Sequence, residues 1–209
     1  MNTLKSLLVI AGITVASFAT ATAQEKKMPP VDPSPMDMAY YPVMYPYVCK
    51  VKGEPGTLVA RAIFSRPQKK GRPIFGNLVE YGKVWRLGAN EATEVEFYRP
   101  VTIGNKLVPK GRYTIYAIPT ETKWTVIFNK QTDIWGAYKY EASMDLVRTD
   151  VPVSTPADEL EAFSMVFEKA PYGANLLMGW DKTQVSVPIR WSESKVVAAN
   201  TPAKAPKKK

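Results

Sequence analysis

The chain has 209 residues, a formal net charge of +9, one cysteine and no histidine. The absence of histidine excludes Ser-His-Asp triads, Cys-His dyads and histidine metal sites, so a general base near neutral pH would have to be a perturbed carboxylate, lysine or tyrosine. The sole cysteine, Cys49, excludes an internal disulfide and is predicted to be either a buried small hydrophobe or a thiol for a partner. We expect neither a metal site nor a cofactor.

The first residues have the pattern of a cleavable secretory signal. Lys5 precedes the apolar run Leu7–Ala19, and the small residues Ala21 and Ala23 follow it. The run is shorter than the about 20 residues that span a bilayer as a helix. The pattern therefore predicts a signal peptide over residues 1–23, cleaved near Ala23, and a soluble mature chain that is periplasmic or secreted. A buried N-terminal helix is the alternative.

The segments that flank the body of the chain are predicted to have no fold of their own. Residues 24–47 contain six prolines, which indicates an extended linker. Residues 193–209 are rich in alanine, proline and lysine, a composition typical of a disordered tail. We expect this basic tail either to contact anionic surfaces or only to keep the chain soluble, and we expect no specific nucleic-acid binding.

Residues 48–192 are predicted to form a single β-sandwich domain. Apolar residues recur there with period two in short runs bounded by turn residues, as in Thr93–Phe97, where acids alternate with apolar groups. Gly104 and Asn105 form the centre of a predicted two-residue hairpin. These patterns predict an all-β, antiparallel β-sandwich, jelly-roll-like or immunoglobulin-like, with little helix.

The later part of the body continues the same pattern. A helical turn is predicted only at residues 157–162. Pro152 and Pro188 fall inside strand-like runs, which places their strands at a sheet edge or at a bulge. The further strands are predicted at residues 111–118, 124–129, 146–153, 162–168, 175–180 and 184–191.

Three stretches of the body, SRPxxKGRxIFGxLVxYGxVWRxGANEAT, WTVIFNKxTDxWGAYxY and WDKTxVSVPI, carry a resemblance to a known family. In residues and spacing the chain resembles the bacterial exported family called domain of unknown function 2911, over roughly Val59–Ile189. Glu80 stands where that family often has proline. The resemblance implies a β-rich exported domain and implies no activity.

Residues 65–93 interrupt the alternation and are predicted to form a long loop, and loops of this length in compact domains usually have a function. Guanidinium groups offer forked donors for carboxylate, sulfate or phosphate. Tryptophan rings offer stacking faces for a sugar. The region therefore predicts an anionic or glycan ligand, with the candidate residues Arg66, Arg72, Trp85, Arg86, Asn90, Glu91, Thr93 and, further along the chain, Trp135.

Two other interpretations of these residues stay open. Glu91 and Asp133 are candidates for the acid and base of a hydrolase acting on envelope or environmental polysaccharide, which needs two carboxylates about 5–10 Å apart. Alternatively, the loop is a structural network in which Arg86 pairs with Glu91, Asn90 caps a turn and the tryptophans fill the core. The protein would then be a structural or interaction module of the cell envelope.

Overall fold

A computed structural model of the chain describes residues 27–191. The predicted signal peptide and the predicted basic tail lie outside these residues. The chain divides into two units, Met1–Val31 and Asp32–Lys209. Residues 27–31 of the first unit are exposed and have no regular secondary structure. Within the described part, no helix is long and apolar enough to cross a membrane.

The described residues of the second unit form two antiparallel β-sheets. The first sheet has six strands, in the spatial order β1 (Met36–Tyr41), β2 (Ala60–Ser65), β3 (Glu94–Phe97), β6 (Gly111–Pro119), β7 (Lys123–Asn129) and β8 (Asp145–Pro152). The second has five, in the order β5 (Lys106–Val108), β4 (Val101–Ile103), β11 (Thr183–Arg190), β10 (Gly173–Asp181) and β9 (Leu160–Ala170). Two short helical segments, Pro46–Val51 and Ala142–Met144, accompany them. The predicted all-β antiparallel sandwich is confirmed.

The main core lies between the two sheets and takes every second residue of a strand, because successive strand side chains point to opposite faces. In β6, Ile115 and Ala117 belong to this core, whereas Tyr116 lies on the opposite face of the sheet. There, Tyr116 forms a small second cluster that partly buried residues such as Tyr140 cover. Burial and a hydrogen bond to Asp145 (2.6 Å) raise the pKa of the Tyr140 hydroxyl to about 12.

The first strand lies within the segment that the sequence predicts to be a linker. Residues 36–41 pair with β2 in antiparallel register, from Met36 opposite Ser65 to Tyr41 opposite Ala60. The prolines bound this strand rather than interrupt it, so every residue of β1 keeps a backbone N–H for pairing. The structure therefore corrects the linker prediction at these six residues.

The predicted helical turn at residues 157–162 is wrong, because β9 begins at Leu160 and alternates buried and exposed residues from there. The prediction for Pro152 is confirmed, since β8 is an edge strand. The prediction for Pro188 is wrong, because β11 lies between β4 and β10 and its pairing with β10 has no bulge, but β4 pairs only with Ile189 and Arg190. The proline thus lies just outside that ladder, where no N–H is required.

The alternation that builds the core can be tested with two leucines. Leu176 in β10 is fully buried, whereas Leu107 in β5 is 65% exposed. We expect Leu176→Ala to lower the free energy of unfolding by about 2–5 kcal/mol, because it leaves a cavity in the core. Leu107→Ala is the matched control and should change it by less than about 0.5 kcal/mol in urea denaturation. Equal losses would contradict the register of the second sheet.

Candidate functional site

The long loop after β2 returns to the first sheet at Trp85. The backbone N–H of Trp85 donates to Ala117 O (2.7 Å), and the N–H of Ala117 donates to Trp85 O (2.9 Å). β3 pairs with an earlier part of β6, starting with Glu94 opposite Thr114. Trp85 and β3 thus lie one after the other against the same strand, and residues 86–92 form an excursion between them.

The excursion is held by hydrogen bonds on both sides. The Ser65 hydroxyl donates to Ala89 O (2.5 Å) and accepts from the Ala89 N–H (2.6 Å). On the other side, the Gly136 N–H donates to Asn90 O (2.9 Å). Gly88 has a φ of 146°, and a Cβ at this position would lie 2.7 Å from Ser65 Oγ. Only glycine therefore fits between the excursion and β2.

Trp85 lies in an aromatic cluster. Its ring centroid lies 5.2 Å from Phe163, 5.6 Å from Trp124, 5.8 Å from Phe75 and 6.2 Å from the stacked ring of Trp180. The side chain is only 7% exposed. Trp85 therefore serves the core and offers little of its ring face to a ligand.

A cavity of about 240 Å³, here called the loop cavity, lies beside this cluster. It is lined by Ser34, Pro67, Arg72, Leu78, Val79, Trp85, Arg86, Gly88, Ala89 and Trp180. Three predicted binding residues thus share one cavity, and none of its lining residues is acidic. Its volume is below the about 300–1,000 Å³ of sites for drug-sized ligands, so it suits a small anion or a single charged group.

Arg86 is the half-buried cation of the loop cavity. Burial lowers the pKa of its guanidinium, and its Nε atom is buried without a hydrogen-bond partner. The ion pairs among the described residues do not include Arg86 with Glu91, so the proposed pairing does not form, and the charge of Tyr138 partly opposes the pKa shift. Arg72 is exposed instead, and its guanidinium donates to Gln68 O (2.6 Å) and Lys69 O (2.9 Å).

The start of the loop is tied to both sheets by charged side chains. Arg66, a predicted ligand-binding residue, forms an ion pair with Asp37 of β1 (3.0 Å) and does not line the loop cavity. The Lys69 ammonium contacts Asp181 (2.6 Å) and Glu159, and hydrogen bonds to these carboxylates raise its pKa. Arg66 and Lys69 therefore anchor the loop.

The two predicted catalytic acids, Glu91 and Asp133, line a second cavity of about 140 Å³ together with Glu94, here called the carboxylate cavity. Arg112 forms an ion pair with Asp133 and another with Glu94 (3.4 Å). The Asp133 N–H also donates to Glu94 Oε1 (2.6 Å). Two of the three carboxylates are thus engaged by one arginine, and the space beside them is small for a sugar substrate.

The remaining predicted residues shape the excursion. Asn90 has a φ of 58°, and its amide donates to Asp32 (3.1 Å). Thr93 is buried and its hydroxyl donates to Leu87 O. Trp135 is 60% exposed and lines neither cavity.

The sequence pattern does not identify Trp180 and Arg112, the residues that complete these two sites. The alternating acids of Thr93–Phe97 draw attention to Glu94 in the sequence. The contacts that Glu94 makes with residues distant in the chain follow only from the pairing of β3 with β6. Among residues 27–191, no group of three or more carboxylate or thiol side chains is arranged to hold a metal ion.

The fold and the loop define a class of protein: an antiparallel β-sandwich whose long loop inserts a tryptophan into the core and places arginines in the wall of a cavity. The chain belongs to the family described as protein of unknown function (DUF2911), whose model matches residues 50–189. This confirms the family that the motifs indicated, and the matched range contains the whole loop. Comparisons with curated proteins and with solved structures gave no match.

The fit of the excursion against β2 can be tested with two glycines. Gly88 and Gly82 both have positive φ, but only a Cβ at Gly88 would meet other atoms within 4 Å. Gly82→Ala should cost about 1–2 kcal/mol from backbone strain alone. Gly88→Ala should lower the free energy of unfolding by clearly more, because β2 and the excursion must also separate. Equal losses in denaturant titrations would show that the close contact contributes nothing.

Proposed function

We propose that this is an exported protein that binds a small anionic group in the loop cavity. The group would be a carboxylate, sulfate or phosphate, either free or carried by a larger molecule such as a glycan. The observation that carries the proposal is a cavity whose lining residues include two arginines, one of them half-buried, and no acid.

The physical argument rests on the cost of a half-buried cation. Burying a charged group costs free energy unless an opposite charge or hydrogen bonds compensate it. An anion bound beside Arg86 would offset the desolvation that lowers the pKa of its guanidinium. Arg72 is held at the same wall by two backbone carbonyls, which leaves its positive charge unneutralised by the protein.

The two other hypotheses have less support. For the hydrolase, Glu91 and Asp133 share the carboxylate cavity, but Arg112 pairs with Asp133 there. For the structural module, the excursion is a dense hydrogen-bond network and Trp85 fills the core, but the Arg86–Glu91 pair that this hypothesis included does not form. Both stay predictions.

Arg86→Gln tests the anion site. Calorimetric titration of the purified protein with sulfate, phosphate and acetate at low ionic strength should show binding of at least one anion. The substitution should weaken it at least about tenfold, because a charged hydrogen bond is worth about 1.5–3 kcal/mol. A parallel titration with glucose 6-phosphate distinguishes a free anion from one carried by a sugar.

Arg112→Gln is the matched control, since it removes the same charge at the carboxylate cavity. Arg72→Gln should also weaken anion binding. Because Arg72 is exposed, this variant tests the site without the risk that the loss of half-buried Arg86 disturbs folding. Absence of binding to every anion, or equal weakening by Arg112→Gln, would count decisively against the proposal.

The export part of the proposal is tested by the mass of the exported protein. Expression of the full chain in a bacterium with two membranes should give a periplasmic or extracellular product that begins at Gln24. Replacing both Ala21 and Ala23 by arginine should block cleavage, since the peptidase requires small residues there. Intact-mass measurement checks both, and a full-length wild-type product in the cytoplasm would refute export.

A further inference from the structure

A third cavity of about 420 Å³, here called the end cavity, lies where β1 and β11 end and β9 turns into β10. Unlike the loop cavity, it has the volume typical of a ligand site. Gly173, at the start of β10, lines the end cavity, and Trp180, seven residues later in the strand, lines the loop cavity. At about 3.3 Å per residue, these two residues lie about 23 Å apart along the strand.

Aromatic side chains that remain partly exposed form part of the wall of the end cavity. Trp191 and Tyr41 pack edge to face with ring centroids 5.1 Å apart. The guanidinium of Arg190 lies 4.7 Å from the ring centroid of Tyr172. Trp191 and Tyr172 are half-buried, whereas Trp85 at the loop cavity is almost fully buried. Ring surface is therefore available at this end of the sandwich.

The position of Trp191 is fixed by a close backbone approach. Gly173 has a φ of 143°, and a Cβ there would lie 2.5 Å from Ile189 O and 2.8 Å from the Trp191 ring. The Trp191 N–H also donates to Tyr172 O (3.2 Å). The aromatic wall is thus preorganised, which lowers the entropy cost of binding.

Lys169 is an exposed cation in the wall of the end cavity, and the described residues that line this cavity include no acid. A lysine beside aromatic rings favours a ligand that has both a carboxylate and an apolar face. An acidic sugar has this combination, because its ring C–H groups form an apolar face and its carboxylate is a substituent.

We propose that the end cavity binds a hexuronate unit of an acidic polysaccharide. The sugar ring packs against Trp191 and Tyr172, and its carboxylate contacts Lys169. This site is separate from the anion site of the loop cavity and uses none of its residues.

The test is titration of the purified protein with digalacturonate, followed by the tryptophan indole N–H signals in NMR. The Trp191 signal is assigned from its loss in Trp191→Leu. We expect digalacturonate to shift the Trp191 signal, and the neutral disaccharide galactobiose to bind at least about tenfold more weakly. Lys169→Gln should weaken digalacturonate binding about fivefold, and Trp191→Leu about tenfold or more by calorimetry.

Lys130→Gln is the matched control, because Lys130 is exposed and lines neither cavity, and it should leave the affinity unchanged. Arg86→Gln should also leave it unchanged, so failure at the end cavity is distinguishable from failure at the loop cavity. Equal binding of galactobiose, loss of binding only in Arg86→Gln, or absence of any Trp191 shift would each overturn the proposal. Displacement of digalacturonate by equimolar inorganic sulfate would show that the end cavity recognises only the negative charge. That result would also overturn the proposal.

Discussion

The insertion of Trp85 between the sheets is the constraint on which the site depends. Its ring contacts aromatic residues of both sheets, Trp124 in β7 and Phe163 and Trp180 in β9 and β10. Reciprocal hydrogen bonds to Ala117 fix its backbone against β6. A long loop with both restraints cannot move as a flexible lid. Its residues before and after Trp85 are therefore held in defined positions, which gives the loop cavity its shape.

The charges of the loop divide into two groups with different tasks. Arg66 and Lys69 are paired with acids and attach the loop to the sheets. Arg72 and Arg86 have no acid partner and line the loop cavity. Paired charges of this kind stabilise a geometry, whereas an unpaired, half-buried arginine is an energetic cost that a ligand can offset. A bound anion would therefore stabilise the second group, whereas the first group is already neutralised by the protein's own acids.

The partly exposed aromatic rings and the arginines of the loop cavity are separated in space, although the sequence places aromatic residues and arginines together in one loop. Trp85 is almost fully buried in the core. Trp135 is exposed and lines neither the loop cavity nor the carboxylate cavity. The aromatic surface that is both accessible and near cations lies at the other end of the sandwich, at Trp191 and Tyr172. Tyr41 and Trp191 of that end lie outside the matched family range.

Local pattern was sufficient for much of the fold. Period-two alternation located β3, β4 and β6 to β11, and Gly104–Asn105 marked the hairpin between β4 and β5, because strand faces and tight turns are properties of neighbouring residues. The motif that carries the loop also identified the family. Tertiary structure alone decided that residues 36–41 pair with β2, that Trp85 packs in the core and that Arg112 pairs with Asp133 in the cavity that Asp133 shares with Glu91. It alone brought Tyr41, Tyr172 and Trp191 together at one end. These outcomes depend on contacts between residues distant in the chain, whose energies no local pattern contains.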